Sequence, residues 1–354
     1  MIGSHFARAT RARGWPTFGL ARNSAAMRLA ALPDPNLFFC DILDRDALAD
    51  VFNRVNPELV IHLAAQAFNG ISWQMEETTH HTNYLGTYHV LRACRLLAPQ
   101  AKVLLACSSA GYGDVTPADN PLHEARPLKP ITPYGVSKAA TEALGYQYFA
   151  NYRLAVALPR LFIHVGTGHP PATAIQNFAR QLALIRKGKL EPVIKVGRLD
   201  TARDFIDVRD GVAAMMLMIE KGCFGQPTNV CTGQAHKISD ILELLLDISR
   251  LDVKVVADPA LMRPSDEPLL LGDNSRIRAL GWQQQYSMRT TLEAVYEDWL
   301  QRIGFYFAFK MRLSATRPRL CSRSSFGGEG WGEEAVCLTF SATWYEPHRR
   351  PTHA

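Results

Sequence analysis

The chain has 354 residues, 47% hydrophobic and 20% charged, a composition that rules out wholesale disorder and leaves room for one large domain or two modest ones. No apolar run reaches the roughly 18 residues needed to cross a bilayer. The formal net charge of +6 is uneven: residues 301–354 carry eight Lys or Arg and four acids, so the first 300 residues sum to only +2. That balance does not describe a basic nucleic-acid-binding body.

Residues 1–8 lack the basic-apolar-small order of a secretion signal. The seven cysteines are scattered and odd in number, and no two stand in a Cys-x-x-Cys pair. Neither a disulfide framework nor a zinc site is suggested, and the expected address is the cytoplasm. Met1-Ile2-Gly3-Ser4 reads as the last glycine of a glycine-rich turn already entering its helix. A doubly wound nucleotide-binding domain opens with a strand before that turn. On this reading the sheet lacks its first strand, and its neighbours' edges are left open.

Short apolar runs at 17–20, 37–40, 59–63, 103–107 and 154–158 read as buried strands. Helical patterns lie between them at 46–55, 79–97 and 133–152. Such alternation predicts an α/β fold, a Rossmann-like parallel sheet covered by helices on both faces. Ligands then sit at the carboxyl ends of the strands. Trp299 and Leu300 close an amphipathic helix. Beyond them an aromatic cluster, a basic stretch and a glycine-rich stretch at 327–332 show no sustained period. Residues 305–354 are therefore expected to be irregular or disordered.

Tyr134-Gly135-Val136-Ser137-Lys138 is the sharpest local motif. Four residues apart on a helix, Tyr134 and Lys138 share a face. A tyrosine is a poor acid-base group at neutral pH, and a neighbouring ammonium favours its phenolate. Surface helices also show Tyr-x-x-x-Lys by chance, so the motif needs context. Upstream, Leu104-Leu105-Ala106-Cys107-Ser108-Ser109 runs from a strand into hydroxyl residues at its carboxyl end. Ser108 is placed to meet the substrate oxygen that Tyr134 protonates.

Together with Tyr112 and the segment Pro130-Ile131-Thr132-Pro133-Tyr134, these residues resemble the extended short-chain dehydrogenase/reductase family, the NAD-dependent epimerases and dehydratases. Matches continue in order through Asp41-Ile42, His62-Leu63-Ala64-Ala65, Asn83, Gly86-Thr87, Arg203-Asp204-Phe205-Ile206-Asp207 and Leu280-Gly281-Trp282. They cover about residues 1–300. The resemblance implies a catalytic triad of Ser108, Tyr134 and Lys138. It implies cofactor contacts from Gly3, Arg22, Asp41, Ile42, Leu63, Ala64 and Ala65 besides Tyr134 and Lys138. It also implies substrate contacts from Asn177, Arg203, Arg263 and Asp266, the arginines forking onto a nucleotide diphosphate. The implied division is a dinucleotide-binding domain over 1–163 and a mainly substrate-binding region over 164–304, some of whose elements return to the first domain. Helices around 79–97 and 133–152 often build a homodimer in this family.

After the second strand of the family comes Ala21-Arg22-Asn23-Ser24, with no acid for a ribose hydroxyl. NADP(H) is favoured over NAD(H), since Arg22 suits a 2′-phosphate. Dehydratases of the sugar-nucleotide branch place an acid two residues after the triad hydroxyl, and here that residue is Ala110. The branch most resembled comprises the GDP-4-keto-6-deoxymannose reductases and their GDP-mannose 4,6-dehydratase cousins. The expected reaction is reduction of a nucleotide-linked 4-keto-6-deoxy sugar, GDP-linked by preference. A 4-epimerase, a dehydratase relative, or an inactive sugar-nucleotide-binding member are the alternatives. Two departures weigh toward inactivity: the incomplete glycine turn, and Ile163 where the family carries Asn. With so little of the turn, NADP(H) binding is expected to be weak.

Overall fold

The structure is a computed structural model describing residues 1–22, 36–262, 267–315 and 336–339, with only the backbone described for 305–315 and 336–339. The amino-terminal part of the chain carries α1 (Ile2–Ala12), β1 (Thr17–Ala21), β2 (Leu37–Phe39), α2 (Arg45–Val55) and β3 (Leu59–His62). A helical run through Glu76–His80 and a π-helical turn His81–Leu85 leads into α3 (Gly86–Leu97). Then follow β4 (Lys102–Leu105), β5 (Cys107–Ser108), α4 (Pro133–Tyr152) and β6 (Ala155–Leu161). The expected strands and helices all form, with ends shifted by at most three residues.

Local chemistry sets the helix ends. Asp44 caps α2 by accepting from the N–H groups of Asp46 and Ala47, and the helix stops at Asn56 in the left-handed region. Thr132 caps α4 by accepting from Gly135 N–H, with Pro133 in the first helical turn. Gly145 lets α4 lie close on the sheet. A Cβ there would stand 2.7 Å from Cδ2 of both Leu105 and Leu158.

The strands are apolar on both faces because both are covered. Val60, Val103 and Leu105 point into a core under α2, α3 and α4 with Leu48, Phe52 and Leu91. Ile61 and Leu104 point the other way, toward Phe6 of α1 and Met215 and Met216 of α6 (Val208–Glu220). A third core fills the second lobe. There α5 (Ala174–Arg186), α7 (Ile238–Ser249) and α8 (Met288–Ala315) bury Phe178, Leu182, Leu245, Val295 and Trp299. The second lobe's strands are β7 (Ile163–Val165), β8 (Val193–Val196), β9 (Ala202–Asp207), β11 (Ala235–Lys237), β12 (Lys254–Ala257) and β13 (Leu269–Leu270). One strand from beyond residue 163, β10 (Pro227–Val230), returns to the edge of the first sheet beside β6.

The slot expected to be open is filled. The main sheet runs β10-β6-β4-β3-β14-β1-β2, where β14 is Val336–Thr339. This strand pairs antiparallel with β1 and with β3, while the other pairs in the sheet, among the described residues, are parallel. Where no regular element was expected after residue 305, α8 continues to Ala315 and the tail supplies a central strand.

Candidate active site

Three side chains converge at the carboxyl ends of β3 to β5. Ser108 ends β5 and caps a short turn, its Oγ accepting from Ala110 N–H at 3.2 Å. That leaves the single hydroxyl proton of Ser108 to be donated elsewhere. On α4, Lys138 is 6% exposed, and its Nζ donates to Ala106 O at 2.8 Å. The same Nζ lies 5.9 Å from the centre of the Tyr134 ring. The sequence-predicted triad is thus one cluster.

Buried polar contacts hold this cluster. Asn83, in the π-helical turn, accepts from Gln66 N–H at 2.7 Å and donates to Gln66 O at 3.1 Å and to Ser137 Oγ at 2.9 Å. It ties the loop after β3 to the residue preceding Lys138. Arg160 on β6 grips Glu142 of α4 in a two-pronged pair at 2.8 and 2.7 Å and donates to Glu124 O. The Arg160 guanidinium also lies over Tyr112, whose hydroxyl donates to Asn229 at 2.7 Å. Desolvation is the largest influence on the Tyr112 phenol and pushes it up to about 12. Tyr112 is fully buried, and its hydroxyl is tied to Asn229, so it acts as a structural group. His62, at the end of β3, is pushed down to about 3, first by burial and then by the Lys138 charge.

The triad opens into a cavity of about 300 Å³. Ser108, Ala110, Tyr134 and Lys138 form one wall; Ile163, His164, His169, Arg203 and Glu267 come from the second lobe. Leu63 and Ala65 line it beside α1, from which Met1 and Ile2 reach it. The expected contact Gly3 stands in the same helical turn outside the lining. A smaller cleft continues over the sheet, lined by Arg22, Asp41, Ile42 and Ala64. The predicted cofactor residues therefore divide between two adjoining pockets, with Leu63-Ala64-Ala65 bridging them.

This shape fits a dinucleotide. Short alanine side chains at the end of β3 let a ligand approach the backbone, and Arg22 and Asp41 face the outer pocket. Asp41 accepts from Leu43 N–H at 2.9 Å, and His89 Nδ1 lies 3.1 Å from Ile42 O. Both contacts hold the outer pocket's loop in place.

Of the predicted substrate residues, Arg203 lines the cavity at 8% exposure. It donates to Glu267 O at 2.6 Å and stands 3.6 Å from that residue's carboxylate. Asn177 lies on α5, one turn beyond Thr173, and it is Thr173 that reaches the cavity. Arg263 and Asp266 lie outside the described residues, as do Asn23 and Ser24. The acids of the Arg203–Asp210 segment are clamps. Asp204 accepts from Thr232 Oγ1 and the N–H groups of Thr232 and Gly233. Its carboxyl pKa is nonetheless raised, because burial outweighs those bonds. Asp207 caps α6.

Sequence reasoning missed Phe68, His164, His169 and Glu267. His164 directly follows Ile163, and Glu267 follows Asp266, so adjacency to quoted motifs was the available signal. Phe68 and His169 meet edge to face at 6.0 Å, a contact between residues about a hundred positions apart that no local pattern shows.

The family model described as GDP-mannose 4,6 dehydratase matches residues 1–295. The chain is 34% identical over 275 residues to the GDP-6-deoxy-D-mannose reductase of Pseudomonas aeruginosa, spanning 77% of this chain and 90% of that protein. The solved structure of RMD from Pseudomonas aeruginosa complexed with NADPH superposes with a TM-score of 0.71 at 33% identity, covering 77% and 90%. The UDP-glucose 4-epimerase of Thermotoga maritima, solved with UDP-glucose, reaches 0.76 at 25% identity, covering 86% and 96%. On these matches the chain belongs to the GDP-mannose 4,6-dehydratase family, NAD(P)-dependent sugar-nucleotide enzymes within the extended short-chain dehydrogenases/reductases.

Proposed function

We propose that the protein catalyses NADP(H)-dependent reduction of a GDP-linked 4-keto-6-deoxy sugar. One observation carries this reading: the triad is assembled at the cavity, and the position that would hold an elimination base is Ala110. Glu267, the one acid among the cavity-lining residues described, is held beside Arg203.

In this reading Ser108 donates its hydroxyl proton to the substrate carbonyl at C4 and polarises it. A reduced nicotinamide, when bound, supplies the hydride. Tyr134 gives its proton to the forming alkoxide, and Lys138 stabilises the phenolate that remains. Arg203 faces the part of the cavity that would take the diphosphate. Arg22 in the outer pocket supports NADP(H) over NAD(H). The likeness to a reductase and to a structure holding NADPH is consistent with both choices.

The test is a pair of incubations followed by mass spectrometry. GDP-4-keto-6-deoxymannose with NADPH should gain two hydrogens, while GDP-mannose with NADP⁺ should lose no water. Dehydration of GDP-mannose would overturn the assignment. A homodimer is part of the same reading, since Tyr84, Val136 and Tyr146 are exposed on the two helical runs expected to form it. Light scattering that gives a monomer mass would remove that element.

A further inference from the structure

A separate cavity of about 110 Å³ lies between α2 and α3. Arg45 and Ala49 of α2 and His89, Arg92, Ala93 and Leu96 of α3 line it. None of its lining residues also lines the catalytic cavity or the outer pocket. His89 is 9% exposed, and its Nδ1 lies 3.1 Å from Ile42 O, which fixes the ring in the cavity wall.

The positive charge here is uncompensated. Among the described residues, neither the Arg45 nor the Arg92 guanidinium makes a hydrogen bond or an ion pair. Arg160 and Arg209, by contrast, each fork onto a carboxylate. The acids of α2, Asp46 and Asp50, lie outside the lining, and Asp44 is engaged with the N–H groups that it caps. α3 carries no acid along its length. Arg45 also opens α2, the end of a helix where a cation is unfavourable and an anion favourable. Two guanidiniums and an imidazole set among apolar side chains focus a positive potential in the cavity.

We propose that the cavity between α2 and α3 binds a phosphate group, either free or as the end of a larger molecule that otherwise stays outside. Guanidinium groups present planar pairs of donors that match phosphate oxygens. At about 110 Å³ the cavity is well below the roughly 300 Å³ at which pockets begin to bury a drug-sized ligand, so it is matched to one small group rather than to a whole nucleotide. The proposal is independent of the reductase and cofactor readings above, because it uses none of their residues.

Calorimetric titration of the full chain with inorganic phosphate tests the site. Binding should saturate with a Kd of about 1 mM or below. The double variant Arg45→Gln, Arg92→Gln should raise that Kd by at least about 10-fold, the least expected for losing charge-assisted hydrogen bonds. Its thermal midpoint in phosphate-free buffer should match the parent's, since neither guanidinium gives up a bond. Arg203→Gln, in the catalytic cavity, should keep the parent's affinity for phosphate. Glycerol phosphate separates the two sources. Binding as tight as that of inorganic phosphate supports a site for the end of a phosphorylated molecule, and much weaker binding supports a site for free phosphate. Absence of saturable binding to the parent would overturn the proposal. So would affinity kept without Arg45 and Arg92, or an equal signal from sodium chloride at the same ionic strength, which is screening alone.

Discussion

The ammonium of Lys138 donates to the carbonyl of Ala106 at 2.8 Å, so the helix that carries Tyr134 is tied to the strand that delivers Ser108 two residues later. One hydrogen bond thus relates all three members of the triad. It uses one of the three ammonium protons and leaves the charge beside the tyrosine ring.

Tyr134→Phe should lower kcat by about 10²–10⁴-fold, the range for losing a positioned proton donor, while the GDP-sugar binds with little change. Lys138→Met should lower kcat as well and shift the pH optimum upward, because the phenol then loses its neighbouring charge. Steady-state kinetics across pH check both. Near-normal turnover in the Phe variant would remove Tyr134 from the mechanism.

Asn83→Ala should destabilise the protein more than it slows it. The substitution leaves the backbone N–H and C=O of Gln66 without their Asn83 partner in a site only 1% exposed. Each unpaired buried group costs about 1–3 kcal/mol, so the thermal midpoint should fall by roughly 5 °C or more. Calorimetry that shows an unchanged midpoint would contradict the clamp assigned to Asn83.

Much of this was legible in the sequence. The strand-helix alternation, the Tyr134–Lys138 spacing and Ser108 at a strand end are local patterns, and each landed where the fold requires it. Asp41 and Ala64 came from the family resemblance, and the fold sets both at strand ends lining the outer pocket. The strand Val336–Thr339 was not. Four residues just after a glycine-rich stretch carry no period, and their partners, Thr17–Ala21 and Leu59–His62, lie about 275 to 320 positions away. The roles of Asp204 and Asp207 were hidden likewise. A clamp onto Thr232 or a cap on a helix looks, in sequence, the same as a ligand-binding acid.

Arg22→Ala should weaken NADPH binding by about 10–100-fold, as expected for losing a charge-assisted hydrogen bond of about 1.5–3 kcal/mol. NADH binding should change little. Titrations of both nucleotides give the ratio, and an equal loss for the two would show that Arg22 does not read the 2′-phosphate.

Acid should destabilise the fold through two histidines, the half-buried His5 and the buried His62. His5 is pushed from 6.5 down to about 4, mainly by burial and then by Arg8. His62 is pushed down to about 3. Below pH 6.5 the unfolded chain takes up protons that the folded chain refuses. Stability therefore falls as pH drops from about 6.5 toward 4 for His5 and toward 3 for His62. Thermal midpoints measured over this range should decline, and His5→Gln should flatten the upper part of the profile. An identical profile in that variant would contradict the assignment to His5.

The central claim, net hydride transfer to a keto sugar at the Ser108–Tyr134–Lys138 site, is tested most directly with NADPH deuterated at the transferring carbon. Incubated with GDP-4-keto-6-deoxymannose, the protein should yield a sugar nucleotide carrying one deuterium, located at C4 by NMR, with one NADP⁺ formed per product, and Tyr134→Phe should suppress the transfer. A product without deuterium, or a change of sugar configuration with no net consumption of NADPH, would contradict the account.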